Sequence, residues 1–181
     1  MVNKKKSMDN LFLAAIKDET IGLEYFHHVG VGKINATYNT LRLINIYKPK
    51  IVINYGTAGA INNKLSGIVE CTKFFQRDMD VRGLDFELGE TPFDKTKEII
   101  VSEDGYSCGT GDSFVNKEID MKVDLVDMEA YAIAKVCKLE NISFKCFKYI
   151  SDNADENSSN DWNQNFKLGA KAFSRFIIDK F

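Results

Sequence analysis

The 181-residue sequence has little that marks a membrane protein, a disulfide scaffold or a nucleic-acid binder. It holds no apolar run long enough to cross a bilayer, which needs about 20 residues. Its four cysteines, Cys71, Cys108, Cys137 and Cys146, are scattered and form no C-x-x-C pair. Most lie in or beside apolar segments, as reduced core thiols do, so neither a disulfide framework nor a zinc site is indicated. A cytoplasmic protein is the expectation that follows. The formal net charge of -2 supplies no pull toward nucleic acid or an anionic membrane. The basic cluster Lys4-Lys5-Lys6 is too short to change that. Residues 1–18 begin basic and continue into LFLAAI, yet that core is short for a secretion signal, and Lys17-Asp18-Glu19 follows at once. The two histidines, His27 and His28, are adjacent. On a strand they face opposite sides and cannot easily share a metal. Cys108 has no neighbouring base and no Gly-x-Ser-x-Gly elbow occurs, which argues against nucleophilic hydrolase chemistry.

What is present is an ordinary globular composition, 44% hydrophobic and 28% charged. The length suits one domain, residues 1–181, with a sizeable core. Residues 11–16 read as a first strand, and 23–31 as extended. Residues 34–47 carry Ile34, Tyr38, Leu41, Ile44 and Tyr47 at helical spacing and close on Lys48 and Pro49. Residues 51–55 form a buried strand that ends in Gly56-Thr57-Ala58-Gly59. Strand, helix, strand with short joints is the signature of a parallel sheet. Further strands are expected at 67–75 and 98–102, with polar loop over 78–93 and a Gly-rich turn over 107–115. A short strand at Leu125-Val126 precedes a helix over 129–140, with Ala132, Val136 and Leu139 on its inner face. The last helix, 162–181, has Phe166, Leu168, Ala172, Phe173, Phe176 and Ile177 as its stripe. No repeat, low-complexity tract or linker interrupts this. The expected fold is one α/β domain, a mixed, mostly parallel central sheet flanked by helices.

The stretch 142–155, ISFKCFKYISDNAD, is the densest apolar run, and it stops abruptly at Ser151-Asp152-Asn153. It reads as a buried strand ending in a turn. In open α/β sheets ligands sit beyond the carboxyl ends of such strands. Asp152 therefore either faces a ligand or caps the next helix, and spacing leaves both open. Gly30-x-Gly32-Lys33 lacks the Walker spacing, since His27 stands where the first glycine belongs and Ile34 where Ser or Thr belongs, so it is a tight turn. The remaining chemistry lies in carboxylates near strand ends: Glu19, Asp127, Glu129 and Asp152. Such groups suit work at a sugar, binding hydroxyls or moving protons around an oxocarbenium-like transition state. Glu129 is equally a helix-start acid favoured by the dipole, and Glu19 a loop acid.

Seven segments, in order, carry a resemblance. They are Ala14-Ala15-Ile16-Lys17-Asp18-Glu19, Gly30-Val31-Gly32-Lys33, Ile53-Asn54-Tyr55-Gly56-Thr57-Ala58-Gly59, Arg77-Asp78-Met79-Asp80-Val81, Gly111-Asp112-Ser113-Phe114-Val115, Val126-Asp127-Met128-Glu129-Ala130 and Ser151-Asp152-Asn153-Ala154-Asp155. Together they span nearly the whole chain. They resemble the nucleoside phosphorylase/nucleosidase superfamily, and most closely its 5′-methylthioadenosine/S-adenosylhomocysteine nucleosidase branch. The resemblance implies cleavage of a purine N-glycosidic bond. It makes Asp152 the group that gives hydrogen to purine N7, with Ser151 orienting it, and it requires a dry setting that keeps the acid protonated. It makes Glu19 the activator of water and Glu129 the acceptor for the ribose hydroxyls. It implies that Phe114 stacks on the base, that Val115 presents backbone groups to its edge and that Met128 lies under the ribose. Ile16, Val31 and Trp162 would surround the 5′ substituent, and Thr57, Ala58 and Gly59 would floor the site. No cofactor or metal is implied, and the expected partners are a nucleoside substrate and a second copy of the chain in a homodimer.

Phosphorolysis needs fixed cations, usually arginines. This chain has Arg42, Arg77, Arg82 and Arg175, and none lies on the strand end at 54–57. Water is the expected nucleophile. The chain also departs from the pattern it resembles. It is short, with less chain than usual between Glu19 and Gly30 and between Phe93 and Gly105. Tyr55 and Tyr131 are bulky for their places, and Lys148 stands where an Arg is usual. Leu84 falls near the position where dimers of the family insert a side chain into the partner's site.

Overall fold

A computed structural model describes residues 8–94 and 96–180, and the side chains of 8–94 and 96–177. The Lys4–Lys6 cluster lies outside the described residues. The order of elements is β1 (Asn10–Ala14), β2 (Phe26–His28), α1 (Lys33–Tyr47), β3 (Ile51–Ala60), β4 (Ile68–Gln76), β5 (Glu98–Ile100), β6 (Tyr106–Thr110), β7 (Leu125–Asp127), α2 (Ala130–Leu139), β8 (Ser143–Asp152) and α3 (Ser158–Lys180). Single 3₁₀ turns occur at Lys17–Thr20 and Arg82–Leu84.

The eight strands make one mixed sheet. β3 runs parallel to β8 along its length, β8 pairs antiparallel with β4, β4 parallel with β6, and β6 parallel with β7. β7 returns antiparallel to Gly59 and Ala60 at the end of β3, so these five strands close on themselves. β1 and β2 extend the sheet from the first half of β3, and β5 edges β4. The fold is thus the expected α/β architecture, mostly parallel and flanked by helices. Alternation along β3 splits the core. Val52 joins the cluster under α1 and α2, with Leu43, Ile44, Ile133 and Val136. Ile53 and Tyr55 join the cluster under α3, with Phe147, Phe173 and Ile177.

Several local expectations are corrected. β3 does not stop at Tyr55 but continues through Gly56-Thr57-Ala58-Gly59 to Ala60, because β8 pairs with it throughout. Residues 106–110 are strand rather than turn, held in ladders by β4 on one side and β7 on the other. In α1 the periodic stripe is only half buried. Ile44 is in the core, but Ile34 is 81% exposed and Tyr38 67% exposed, while Ala36, Thr40 and Leu43 face inward. Ala36, Leu43 and Ile44 pack instead in the core cluster shared with α2. Leu139, in the last turn of α2, and Leu168 on α3 are also exposed rather than buried. Ala170 lies inside on α3, alongside Phe166, Phe173 and Ile177.

Candidate active site

The carboxyl ends of β1, β3, β6, β7 and β8 surround a cavity of about 390 Å³. It is lined by Ile16 and Glu19 after β1, Val31 after β2, Thr57, Ala58 and Gly59 of β3, and Phe114 and Val115 after β6. Met128 and Glu129 follow β7, Ser151 and Asp152 end β8, and Trp162 reaches in from α3. The structure thus brings together every residue named from sequence for the site. It adds Ala15, Arg77, Ser113, Val126, Asp127, Ser159 and Asn163 to the wall.

Asp152 is the last residue of β8 and is buried. Its Oδ2 accepts from Ser151 Oγ at 2.8 Å and its Oδ1 from Ala154 N–H at 3.0 Å. It therefore closes the turn after β8 as well as lining the cavity, while Asp155 and Ser158 bond each other where α3 begins. A Cβ on Gly59 would lie 2.6 Å from Asp152 Oδ1, so a side chain there would displace the carboxyl.

Glu19 sits on the 3₁₀ turn after β1 and is also buried. On the edge of β3 that bonds first β1 and then β7, no described strand pairs with residues 55–58. Glu19 fills this gap, its Oε1 accepting from both the N–H and the hydroxyl of Thr57 at 2.7 Å. Its Oε2 is buried with no hydrogen-bond partner among the described residues. A buried, unsatisfied carboxylate oxygen at a cavity wall is a natural acceptor for a bound molecule's proton.

Glu129 precedes α2, and its Oε1 accepts from Gly32 N–H at 2.8 Å. The Gly30–Lys33 turn therefore clamps Glu129, and its Lys33 N–H donates to Asp112 Oδ1 at 2.7 Å. Lys33 is neutralised by Asp78 at 2.5 Å and Asp112 at 3.8 Å. Burial first, and then the charge on Asp127, push the Glu129 carboxyl up to about 8.

Lys148 of β8 pairs with Asp127 of the wall at 2.7 Å, both side chains 1% exposed. Burial alone would raise Asp127, but the Lys148 ammonium and hydrogen bonds from Thr110 and Ala130 hold it low. Burial would likewise lower Lys148, and Asp127 keeps it charged. This pair was not foreseen as a unit. The signal was there, a lysine inside a buried strand that needs a carboxylate, and an aspartate in the apolar Leu125-Val126-Asp127-Met128.

Arg77 is the one cation among the described residues that line the cavity. Its two terminal nitrogens donate to the carbonyls of Gly111 and Ser113 and the hydroxyl of Ser113, while its Nε is buried with no partner among the described residues. Among the described residues no group of three His, Cys, Asp or Glu side chains is arranged as metal ligands, and no helix is long and apolar enough to cross a membrane.

Comparison with known proteins places this architecture. The sequence profile of the phosphorylase superfamily matches residues 96–181. The 5′-methylthioadenosine/S-adenosylhomocysteine nucleosidase of Bacillus subtilis is 33% identical over 82% of this chain and 76% of its own. The enzyme of the same name from Haemophilus influenzae is 32% identical over 83% and 77%. Among solved structures, futalosine hydrolase of Helicobacter pylori superposes with a TM-score of 0.86 at 20% identity, covering 98% of this chain and 99% of its own, a likeness of fold. With that identity to two nucleosidases over most of its length, the chain belongs to the 5′-methylthioadenosine/S-adenosylhomocysteine nucleosidase family of the phosphorylase superfamily.

Proposed function

We propose that this chain hydrolyses the N-glycosidic bond of an adenine nucleoside, with 5′-methylthioadenosine and S-adenosylhomocysteine, named for its relatives, as the first substrates to test. One observation carries the reading: three acids from separate strand ends, Glu19, Glu129 and Asp152, line a single cavity of nucleoside size. In this reading Asp152, oriented by Ser151, gives hydrogen to N7 as the base leaves with the bonding electrons. Glu129 grips the sugar hydroxyls as C1′ becomes cationic. Glu19 uses its free Oε2 to take a proton from the attacking water. Phe114 and Val115 hold the base, Met128 underlies the ribose, and Ile16, Val31 and Trp162 surround the 5′ group. Thr57, Ala58 and Gly59 form the floor.

Water is favoured over phosphate because the cations near the cavity are already engaged. The terminal nitrogens of Arg77 bond protein oxygens and its Nε is buried, Lys33 pairs with Asp78, and Lys148 pairs with Asp127. A cytoplasmic homodimer, folded as one domain and using no cofactor, completes the proposal. The test is chromatography of a nucleoside panel with wild type and Asp152→Asn. Wild type should release adenine and free sugar, and Asp152→Asn should lower turnover about a hundredfold or more. Sugar 1-phosphate among the products would mean phosphorolysis, and an Asp152→Asn enzyme as fast as wild type would overturn the role given to Asp152.

A further inference from the structure

We propose that Trp162 is a positioning residue for Glu19 and acts through Thr57. The inference rests on the reading of Glu19 as the group that activates water. Trp162, in the first turns of α3, is the sole tryptophan of the chain. Its indole Nε1–H donates to Thr57 Oγ1 at 2.9 Å. The Thr57 hydroxyl in turn donates to Glu19 Oε1 at 2.7 Å, and the Thr57 N–H donates to the same oxygen. The three residues all line the cavity, and they come from α3, β3 and the turn after β1.

The chemistry of the groups gives this chain of bonds a direction. An indole N–H is a donor only, whereas a hydroxyl has one proton and two lone pairs. With one lone pair occupied by Trp162, the Thr57 proton is left to point at Glu19. A hydroxyl that accepts one hydrogen bond is polarised and donates the next more strongly. Glu19 Oε1 is then held by two donors, which fixes the carboxylate plane and leaves Oε2 buried with no partner among the described residues. Without the indole N–H, the hydroxyl is free to rotate away, and the carboxylate keeps only the backbone donor. Trp162 also stacks on Phe166, ring centroids 5.0 Å apart, so a phenylalanine at 162 keeps a ring in place and removes the N–H alone.

A single tryptophan makes the bond directly observable. With nitrogen-15-labelled tryptophan, the full chain should show one indole N–H resonance, shifted downfield and slow to exchange. In Thr57→Val that resonance should move upfield and exchange faster, and Glu19→Gln should move it too, through Thr57. An indole resonance unchanged in both variants overturns the proposal, whether or not the chain turns over a substrate. In adenine-release kinetics, Trp162→Phe should lower kcat about fivefold, one hydrogen bond's worth, with KM moved by less than about twofold. Added to Thr57→Val, Trp162→Phe should cost nothing further, since the path is already cut. Independent, additive losses, or a change confined to KM, would reduce Trp162 to a wall of the 5′ pocket and overturn the proposal. Absence of adenine release by wild type would instead sink the functional reading, and the resonance would still decide the position of Trp162.

Discussion

Glu129 is an acid kept from water beside another acid, and that has a cost that depends on pH. Burial first, and then Asp127, lift its carboxyl from 4.5 to about 8, while Lys148 and the Gly32 N–H pull the other way. Between those values the native chain holds a proton that the unfolded chain has released. Stability attributable to this group therefore falls as pH rises across that window and levels off above it. Glu129→Gln cannot titrate. Its melting temperature is expected to decline less than that of wild type between about pH 5 and about pH 8. Scanning fluorimetry across that range checks this, and parallel curves would show that Glu129 is already ionised in the folded chain. At this scale the wall of the cavity was legible where, as for every residue named from sequence but Trp162, the residue sits in a short segment with its own resemblance, such as Ser151-Asp152 or Met128-Glu129, while Ser159 and Asn163 of α3 lie outside any such segment. Bonds between segments were not. Nothing in sequence order ties Gly32 to Glu129, Lys148 to Asp127 or Trp162 to Thr57, because each pair meets only when the closed part of the sheet brings strand ends together.

Elements were legible where one face is plainly apolar and obscure where ladders override propensity. β8 follows its pattern, and α2 does except at exposed Leu139, whereas the glycines of β3 and β6 suggested turns and lie in strands, Gly59 and Gly109 with partners on both sides and Gly56 with β8 on one. The exposed stripe of α1 shows the same limit from the other side, since periodicity finds an apolar face but not which face the sheet accepts. α3 poses the reverse case, a glycine inside a helix where alanine is normally better by about 1 kcal/mol. Gly169 is there because two tyrosines press on it. A Cβ would lie 2.7 Å from Tyr55 Oη and 2.8 Å from Tyr149 Cδ1. Tyr55 cannot yield easily, for it is fully buried and stacked on Phe173 at 4.1 Å. The bulk of Tyr55, unusual at its place, is thus accommodated across the α3 contact. Gly169→Ala should therefore destabilise the fold by about 1–3 kcal/mol, against its helix propensity. Denaturant unfolding decides the sign. A stabilised variant would mean that α3 shifts away from β3 and β8 without cost.

For the whole molecule, the open question is what covers its apolar surface near the site. Ile34, Tyr38 and Leu41 of α1 are exposed, Val31 is half exposed just before them, and Leu84 stands out on the loop after β4. Val31 and Ile34, with Met128, line a hollow of about 260 Å³ that shares Val31 and Met128 with the main cavity. An apolar stripe on a helix is costly in water, and a second copy related by a two-fold axis would set the same stripe against it. The homodimer proposed above would bury the stripe beside the mouth of the cavity and shield the 5′ end of the substrate. Light scattering should then give twice the chain mass at working concentration. Ile34→Glu with Tyr38→Glu should give the monomer, fold retained by circular dichroism, and raise KM more than it lowers kcat, because the acids proposed for catalysis are untouched while the mouth of the pocket is left open. A wild-type chain of monomeric mass, or a double variant that still dimerises, would place the interface elsewhere or remove it. A monomeric variant with unaltered KM would separate assembly from substrate binding.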